Sequence, residues 1–371
     1  MSNGPAIPWR RANVRHTSNE LYVDIVETLS VTFAPSGRPL SAFANGSIAF
    51  TSKISGVPDL LLTLSASGGR LGMEKALDLP VFHPCVRLAR WKEKPGELSF
   101  VPPDGRFMLA GYEVNLMPSS PDLKSWSNTN LQLPVSIEVS KSLGPTGADF
   151  EIRLILSSAF PGATSSAPAS LPNLGTRGSG RSTPIFGTSS SGPTLRNVVV
   201  TVTIPRGVRN INDIRASRGE AYFAPTENVV EWRVPIKDAA ASGSASLRCT
   251  VIGPPSDEDE DGANGFSFDA ANGDYNETED AYQSSAIEIV KPGPKKGQKE
   301  SRDDRKIKQN APSMPSSASV SFSVQGWLAS GIKVDGLMLN TVKSRGLGAG
   351  VTPYKGVKYL TVSKKGIETR C

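Results

Sequence analysis

The sequence contains few of the residues that build disulfide-linked or metal-linked folds. Its 371 residues include three cysteines, Cys85, Cys249 and Cys371, and none of them forms a Cys-x-x-Cys pair. This number and spacing predict neither a disulfide framework nor a zinc site. No run of 18 consecutive apolar residues occurs, and the first residues lack the apolar core of a secretory signal. We therefore expect neither a transmembrane helix nor secretion.

Groups for acid-base or nucleophilic catalysis are equally scarce. The two histidines are His16, in a polar N-terminal segment, and His83, in the apolar strand-like run Phe-His-Pro-Cys-Val that also holds Cys85. On a strand His83 and Cys85 would share one face, but a satisfied histidine and a buried structural thiol are the simpler interpretation. The glycine-rich run 346–350 lacks the context of a dinucleotide site. We expect no enzyme, no catalytic residues, no metal ligands and no cofactor.

Two long segments, 159–195 and 253–316, have the composition of loops. The first is rich in Ser, Gly and Pro, and the second contains five consecutive acidic residues, 257–261, and later turns basic. Neither shows the period of a strand or a helix, and neither could bury enough apolar surface to offset its chain entropy. The sequence therefore predicts that both segments are disordered insertions.

Positive charge is concentrated outside these insertions. The chain carries a net +6, whereas segment 253–316 has 8 basic and 14 acidic residues and segment 159–195 has two arginines, which leaves about +10 for the remainder. Such a balance favours acidic partners: an anionic, phosphoinositide-bearing membrane, nucleic acid or another protein. The basic residues are not interleaved with a recognition helix or an aromatic platform, so we expect no nucleic acid. A scattered positive excess without a partner is the plain alternative.

Outside the insertions the sequence predicts short strands. β-Branched residues are frequent, apolar and polar residues alternate, and no long stretch has a helical period. This pattern predicts an all-β sandwich architecture with both insertions between strands. The clearest predicted strands are Asn197–Ile204 and Ser319–Val324, together with two hairpins, Leu21–Phe33 with Leu40–Thr51 and Leu133–Ser140 with Asp149–Leu156.

A series of short motifs carries a more specific signal. They are PWRRANVR at 8–15, NELYVDIVE at 19–27, SGVPDL at 55–60, FHPCVR at 82–87, LSFVPPDGRF at 98–107, SGIKV at 330–334 and YKGVKYLT at 354–361. This ordered series resembles the mu homology domain of the medium (mu) subunits of clathrin-adaptor complexes. The forms of the PDL, FHPC and KGVKY motifs look most like adaptor protein complex 3. The resemblance covers nearly the whole chain apart from the two insertions.

The resemblance implies an elongated all-β domain over 1–371, built from two interlocked β-sandwich subdomains. The signal-binding subdomain would comprise 8–117 plus 313–371, and the second subdomain would be the inserted segment 118–312. Members of this family bind cytosolic sorting signals of the form tyrosine-x-x-bulky hydrophobic. The signal joins a sheet edge as an added strand, so that backbone hydrogen bonds give affinity and side-chain pockets give specificity.

The resemblance also assigns a tyrosine pocket and a hydrophobic pocket. Tyr22 matches the aromatic ring that packs on the signal tyrosine, and Asp24 matches the carboxylate that accepts its phenol hydrogen bond. Alternation along a strand places Tyr22 and Asp24 on one face and Leu21 and Val23 on the other. The remaining matched positions are Thr51, Gly356 and Lys358 in the tyrosine pocket, and Leu21, Val23, Val334, Leu337 and Val357 in the hydrophobic pocket.

Three positions depart from other branches of the family. Gly356 stands where others have a tryptophan, Thr51 where some have a lysine, and Lys358 where others have an arginine. The pocket should therefore be less aromatic and less basic than in those branches. Away from the family context, an exposed strand face of no special role remains the alternative for Tyr22 and Asp24.

The expected function is that of a non-enzymatic cargo adaptor. It would recognise tyrosine-based sorting signals in membrane cargo and sort that cargo from Golgi or endosomes to the vacuole or lysosome, as a cytoplasmic protein peripheral on vesicle membranes. The resemblance implies a longin-like domain at the start of medium subunits, and we expect this sequence to lack it. Other adaptor-complex subunits are expected partners if the full gene encodes one. The alternative is a stand-alone mu-homology endocytic scaffold or membrane-binding protein without signal binding.

Overall fold

The computed structural model describes residues 7–11, 13–66, 73, 77–117, 131, 133–157, 192–236, 243–253, 302–348 and 350–371. The strands of the first part of the chain are β1 (Glu20–Phe33), β2 (Pro39–Lys53), β3 (Leu60–Ser65), β4 (Asp78–Phe82), β5 (Glu97–Phe100), β6 (Gly105–Asn115), β7 (Val135–Leu143) and β8 (Asp149–Leu156). Those of the rest are β9 (Thr194–Thr203), β10 (Asn210–Ala216), β11 (Glu220–Ala224), β12 (Val229–Val234), β13 (Gly243–Ile252), β14 (Ser317–Gln325), β15 (Lys333–Leu339) and β16 (Tyr354–Arg370). The α-helices whose bounds lie within the described residues are α1 (Leu88–Glu93) and α2 (Arg302–Asn310).

The strands named above form three sheets. The largest has nine strands in the order β11-β12-β9-β14-β16-β1-β2-β6-β4, and the smaller ones run β10-β13-β8-β7 and β15-β3-β5. β1 and β16 lie side by side in parallel, whereas β1 pairs with β2 antiparallel. The predicted all-β class is therefore confirmed. No helix within the described ranges is long and apolar enough to cross a membrane.

The predicted strands and hairpins are confirmed. In β1 buried and less buried residues alternate from Glu20 to Phe33, as a strand with one face on a core requires. The two predicted hairpins appear as β1 with β2 and as β7 with β8. Asn197–Ile204 falls almost entirely within β9, and Ser319–Val324 lies inside β14.

The nine-stranded sheet contributes to two hydrophobic cores. The first core lies against the three-stranded sheet and takes Leu21, Val23 and Ile25 from the start of β1. The second core lies against the four-stranded sheet and takes Leu29, Val31 and Phe33 from the end of the same strand. β1 is thus one continuous element that serves both cores.

The predicted insertions need correction at their described ends. Thr194 and Leu195 were expected in a loop but open β9, because the Leu195 side chain is buried in the second core. In the second segment, residues 302–316 contain α2 and a short 3₁₀ turn at Ala311–Ser313. Residues 158–191 and 254–301, where most of the predicted disorder falls, lie outside the described residues.

Helix α2 has an identifiable local cause. Asp303 and Asp304 occupy its first turn and Lys308 its last, an arrangement that complements the helix dipole. The helix packs on the β7–β8 turn, where a Cβ at Gly147 would lie 3.2 Å from the Ile307 Cα. Tertiary packing at this turn therefore supports a helix that its polar composition did not predict.

The predicted subdomain boundaries at 117/118 and 312/313 stay a prediction. Strands β9, β11 and β12, from the middle of the chain, join the same nine-stranded sheet as β1 and β16, from its two ends. The sheet therefore crosses both predicted boundaries.

Candidate functional site

The first half of β16 is a strand edge. On one side it pairs with β1, from Glu20 opposite Tyr354 onward. On its other side β14 begins to pair only at Leu360, opposite Gln325. Among the described strands, none covers this side of residues 354–359, and the nearest backbone link there is the Gly326 N–H donating to the Tyr359 carbonyl at 2.9 Å. An open edge of this kind can accept an added strand.

The five residues predicted for the tyrosine pocket meet beside this edge. Tyr22 is level with Gly356 on β16 and with Thr51 on β2, and Asp24 is level with Lys358. Because side chains alternate along each strand, these positions share the outer face of the sheet. The structure therefore brings together all five positions, although they come from three separate parts of the sequence.

The Tyr22 ring lies over Gly356. A Cβ at position 356 would be only 2.8 Å from Tyr22 Cδ1, so the missing side chain is what leaves room for the ring. The Tyr354 ring lies beside it, with 5.8 Å between the ring centroids. Partial burial, followed by the neighbouring Glu20 carboxylate, raises the pKa of Tyr22, whose hydroxyl donates to Glu20 Oε2 at 3.3 Å. Tyr354 thus adds an aromatic ring to a pocket that was expected to have lost one.

Asp24 is not a free carboxylate. Arg106 on β6 donates from Nη1 to Asp24 Oδ2 at 2.7 Å. Arg106 stands opposite Thr51, so its side chain crosses β2 to reach β1. Its side chain is 61% exposed, whereas that of Asp24 is 21% exposed. We did not predict this arginine from the sequence. Its signal there was only its place in the motif PPDGRF.

The predicted hydrophobic-pocket residues belong to the first core. Leu21 and Val23 have no exposed surface, and Val334 and Leu337 on β15 are also buried, whereas Val357 is only partly buried. A ligand at the surface would therefore meet Val357 first, with the other four side chains beneath it.

Strand β15 is tied to β16 next to this position. The Val334 N–H donates to the Tyr359 hydroxyl at 2.9 Å, and burial raises the pKa of Tyr359. On the same face of β16, burial lowers the pKa of Lys355. These two residues were not predicted, and they give the apolar side of the edge two polar groups.

A buried carboxylate fixes the connection between β14 and β15. Glu27 has no exposed surface and accepts hydrogen bonds from the Tyr112 hydroxyl at 2.8 Å and from the Ser330 N–H at 3.1 Å. The Ser330 hydroxyl donates to the same carboxylate. Burial raises the pKa of Glu27, and these three donors oppose that rise. Glu27 therefore holds the start of the segment that leads into β15.

Other motif residues have structural roles. Arg10 is buried and donates from Nε to the Gly56 carbonyl at 2.7 Å and from Nη1 to the Pro102 carbonyl at 3.0 Å. Asp59 of the PDL motif is paired with Arg87 of the FHPCVR motif. Much of the motif series thus secures loops around the first core rather than a ligand.

His83 and Cys85, for which the sequence predicts structural roles, are packed in the structure. His83 and Cys85 lie in a turn after β4, not on a strand, and the Cys85 N–H donates to His83 Nδ1 at 3.1 Å. Burial raises the pKa of the Cys85 thiol to about 12. The histidine accepts a hydrogen bond and the thiol is buried, as predicted, whereas the shared strand face is wrong because the chain turns there.

Comparisons with known proteins agree on one family. The model of the adaptor complexes medium subunit family matches residues 7–371. The AP-3 complex subunit mu-1 of Gallus gallus is 31% identical over 230 residues, which cover 62% of this chain and 43% of that protein. The AP-3 complex subunit mu-2 of Homo sapiens is 32% identical over 252 residues, 67% of this chain and 49% of that protein. The chain thus spans about half the length of the curated relatives it matches.

Structural comparison supports the fold. The yeast delta-COP-I mu-homology domain has a TM-score of 0.51 at 12% identity, with 96% of this chain and 100% of that chain covered. An identity this low shows the fold alone. The family model, which covers nearly the whole chain, shows membership: the chain belongs to the adaptor complexes medium subunit family.

Proposed function

We propose that this chain is a non-enzymatic cargo adaptor that binds tyrosine-x-x-bulky hydrophobic sorting signals at the edge of β16. The observation that carries the proposal is the juxtaposition of that open edge with Tyr22, Asp24, Gly356 and Lys358 on one face of the sheet. An extended peptide beside β16 would form backbone hydrogen bonds with residues 354–358 and place alternate side chains on the two faces.

The tyrosine of the signal would cross β16 over Gly356 to reach Asp24. Two strand spacings, about 10 Å, separate an added strand from β1. An extended tyrosine side chain and an aspartate can span that distance between them when the intervening position carries no side chain. The ring would then lie against Tyr22 and Tyr354, and its hydroxyl would donate to Asp24.

The bulky hydrophobic residue of the signal would enter from the opposite face. Val357 is the partly buried member of the predicted hydrophobic pocket, and Leu339, Leu347 and Val351 are partly buried apolar residues packed against the same core. The chain would thus hold a two-pronged ligand, one prong on each side of the edge.

The expected affinity is modest. Burial of a tyrosine ring removes about 150 Å² from water, which corresponds to about 4 kcal/mol at 25 cal/mol per Å². A hydrogen bond to an ionised carboxylate adds about 1.5–3 kcal/mol. The peptide loses chain entropy on binding, so the net dissociation constant should be about micromolar or weaker.

We further propose the membrane setting and partners that the resemblance implies. The chain would act on the cytosolic side of Golgi or endosomal vesicles, with other adaptor subunits, and direct cargo to the vacuole or lysosome. The excess of about +10 outside the two insertions supports attraction to an anionic, phosphoinositide-bearing surface.

Titration calorimetry with three peptides tests the signal site. A tyrosine-signal peptide should bind, its phenylalanine version about tenfold more weakly, and its phosphotyrosine version not measurably, because a charge of about −1.5 to −2 would face Asp24. Asp24→Ser should remove binding of the tyrosine peptide without changing the circular dichroism spectrum.

A matched variant separates the pocket from a general charge effect. Glu231→Ser breaks another ion pair on the nine-stranded sheet, that of Glu231 with Arg233 on β12, and should leave peptide binding unchanged. If the wild-type protein binds all three peptides equally or binds none of them, the proposed signal site is wrong.

A further inference from the structure

The ion pair between Arg106 and Asp24 places a cation inside the proposed tyrosine pocket. Asp24 on β1 lies two strands from the position of an added peptide and two strands from β6, which carries Arg106. Both partners must therefore span about 10 Å to the same carboxylate. Arg106 already does so, at 2.7 Å from Oδ2.

This geometry leaves the carboxylate half available. An ionised carboxylate has two acceptor oxygens, and Arg106 occupies Oδ2 of Asp24. The second oxygen, Oδ1, can accept the phenol hydrogen of an incoming tyrosine. A guanidinium has five donors in a planar fork, and this side chain remains 61% exposed, so donors that Asp24 does not take remain accessible to a ligand.

We propose that Arg106 is a specificity-determining residue that reads the hydroxyl of the signal tyrosine. Its fork holds Asp24 with one donor and offers another to the phenol oxygen, while the phenol hydrogen goes to Asp24 Oδ1. The tyrosine hydroxyl is then both a donor and an acceptor in the site. Phenylalanine would leave both protein groups without that partner, and sites built to hydrogen-bond a hydroxyl reject the analogue that lacks it.

The short side chain of Thr51 explains how Arg106 can contact Asp24. Thr51 lies between Tyr22 on β1 and Arg106 on β6, and its side chain leaves room for the arginine to cross β2. Because position 51 is not a lysine, the sequence predicts a pocket poorer in positive charge. The structure supplies a cation from the next strand instead.

The inference rests on the proposed signal binding, and it is tested by the ratio of affinities for the tyrosine and phenylalanine peptides. Arg106→Gln should weaken the tyrosine peptide about tenfold and leave the phenylalanine peptide unchanged, so that the preference for tyrosine is largely lost. Arg106→Lys, which keeps the charge but not the fork, should retain part of the preference. Because the side chain is exposed, both variants should keep the wild-type melting temperature.

The control is Arg248→Gln, which removes a similarly exposed arginine that pairs with Asp149 at 3.2 Å on the four-stranded sheet. It should leave both affinities unchanged. If Arg106→Gln keeps the wild-type preference or binds the tyrosine peptide more tightly, Arg106 only competes with the signal tyrosine for Asp24. The inference then fails, whereas the proposed signal site does not. If the wild-type protein prefers neither peptide, the proposed function and this inference both fail.

Discussion

The two hydrophobic cores share β1 but differ in whether buried charged residues lie around them. Of the residues that the structure describes, Arg10, Glu27 and Asp59 are the buried charged ones, and all three lie around the first core. The second core is built from aliphatic side chains and from aromatic ones, among them Phe150, Trp232 and Trp327. The same sheet therefore packs against a core bordered by ionic contacts at the start of β1 and against a more apolar core at its end.

The difference follows from what each core must hold. The second core joins paired strands, whose backbone groups are satisfied by their ladders. The first core also borders loops, whose buried backbone groups need other partners. Arg10 satisfies the carbonyls of Gly56 and Pro102, and Glu27 satisfies the N–H of Ser330. Buried charge here fixes the loops that frame the proposed signal site.

The largest effect is expected when Arg10 is removed. Arg10→Ala would leave several buried carbonyls without a donor, including those of Gly56 and Pro102, and should lower the free energy of unfolding by about 3 kcal/mol or more. Urea denaturation measures this loss. Arg11→Ala, which changes the neighbouring exposed arginine, should change stability by less than about 0.5 kcal/mol. Equal effects of the two substitutions would contradict the structural role given to the buried arginine.

The outcome for Asp24 shows how far sequence alone could reach. Alternation placed Tyr22 and Asp24 on one face of β1, and the structure confirms that geometry. The pairing with Arg106 could not be foreseen, because it depends on the register of three strands, of which β6 lies far along the chain from the β1–β2 hairpin. Strand type is a local property, whereas register comes from the packing of the whole sheet.

Two other features escaped prediction for related reasons. Glu27 reaches Ser330 across 303 positions of sequence, and nothing local to either residue signals the contact. Helix α2 is polar on most of its surface, and its anchor is Thr146, whose carbonyl accepts from Asn310 Nδ2 at 2.9 Å. The low apolar periodicity of this segment therefore predicts a loop, although tertiary contacts hold its end in a helix.

An intermediate effect is expected from the charge on Glu27. Because burial raises the pKa of Glu27 above its ordinary value of 4.5, folding favours the protonated form. The wild-type protein should therefore lose stability relative to Glu27→Gln as pH rises from about 4.5 through the raised pKa. The loss is about 1.4 kcal/mol for each unit by which the pKa is raised.

Chemical denaturation of both proteins between pH 4.5 and 8 measures that difference. Glu138→Gln, which removes an exposed carboxylate on β7, serves as the control for the substitution itself. A stability difference for Glu27→Gln that does not change with pH would mean that the donors to Glu27 fully offset its burial.

A small change in stability is expected at Gly356, and Gly46 provides the contrast inside the core. At both positions a Cβ would strike a tyrosine ring: 2.8 Å from Tyr22 at Gly356, and 2.1 Å from Tyr112 at Gly46. Tyr112 is buried and hydrogen-bonded to Glu27, so its ring cannot move freely, and Gly46→Ala should cost about 1–3 kcal/mol.

At Gly356 the Tyr22 ring lies on the outer face and can turn away, so Gly356→Ala should change the free energy of unfolding by less than about 1 kcal/mol. Its effect should appear in binding instead, because the added methyl group and the displaced ring block the path of the signal tyrosine to Asp24. Thermal unfolding and peptide calorimetry on the two variants separate these outcomes. If Gly356→Ala destabilises the protein as much as Gly46→Ala and leaves peptide affinity unchanged, the outer face of β1 is packed as rigidly as the core and is not a ligand site.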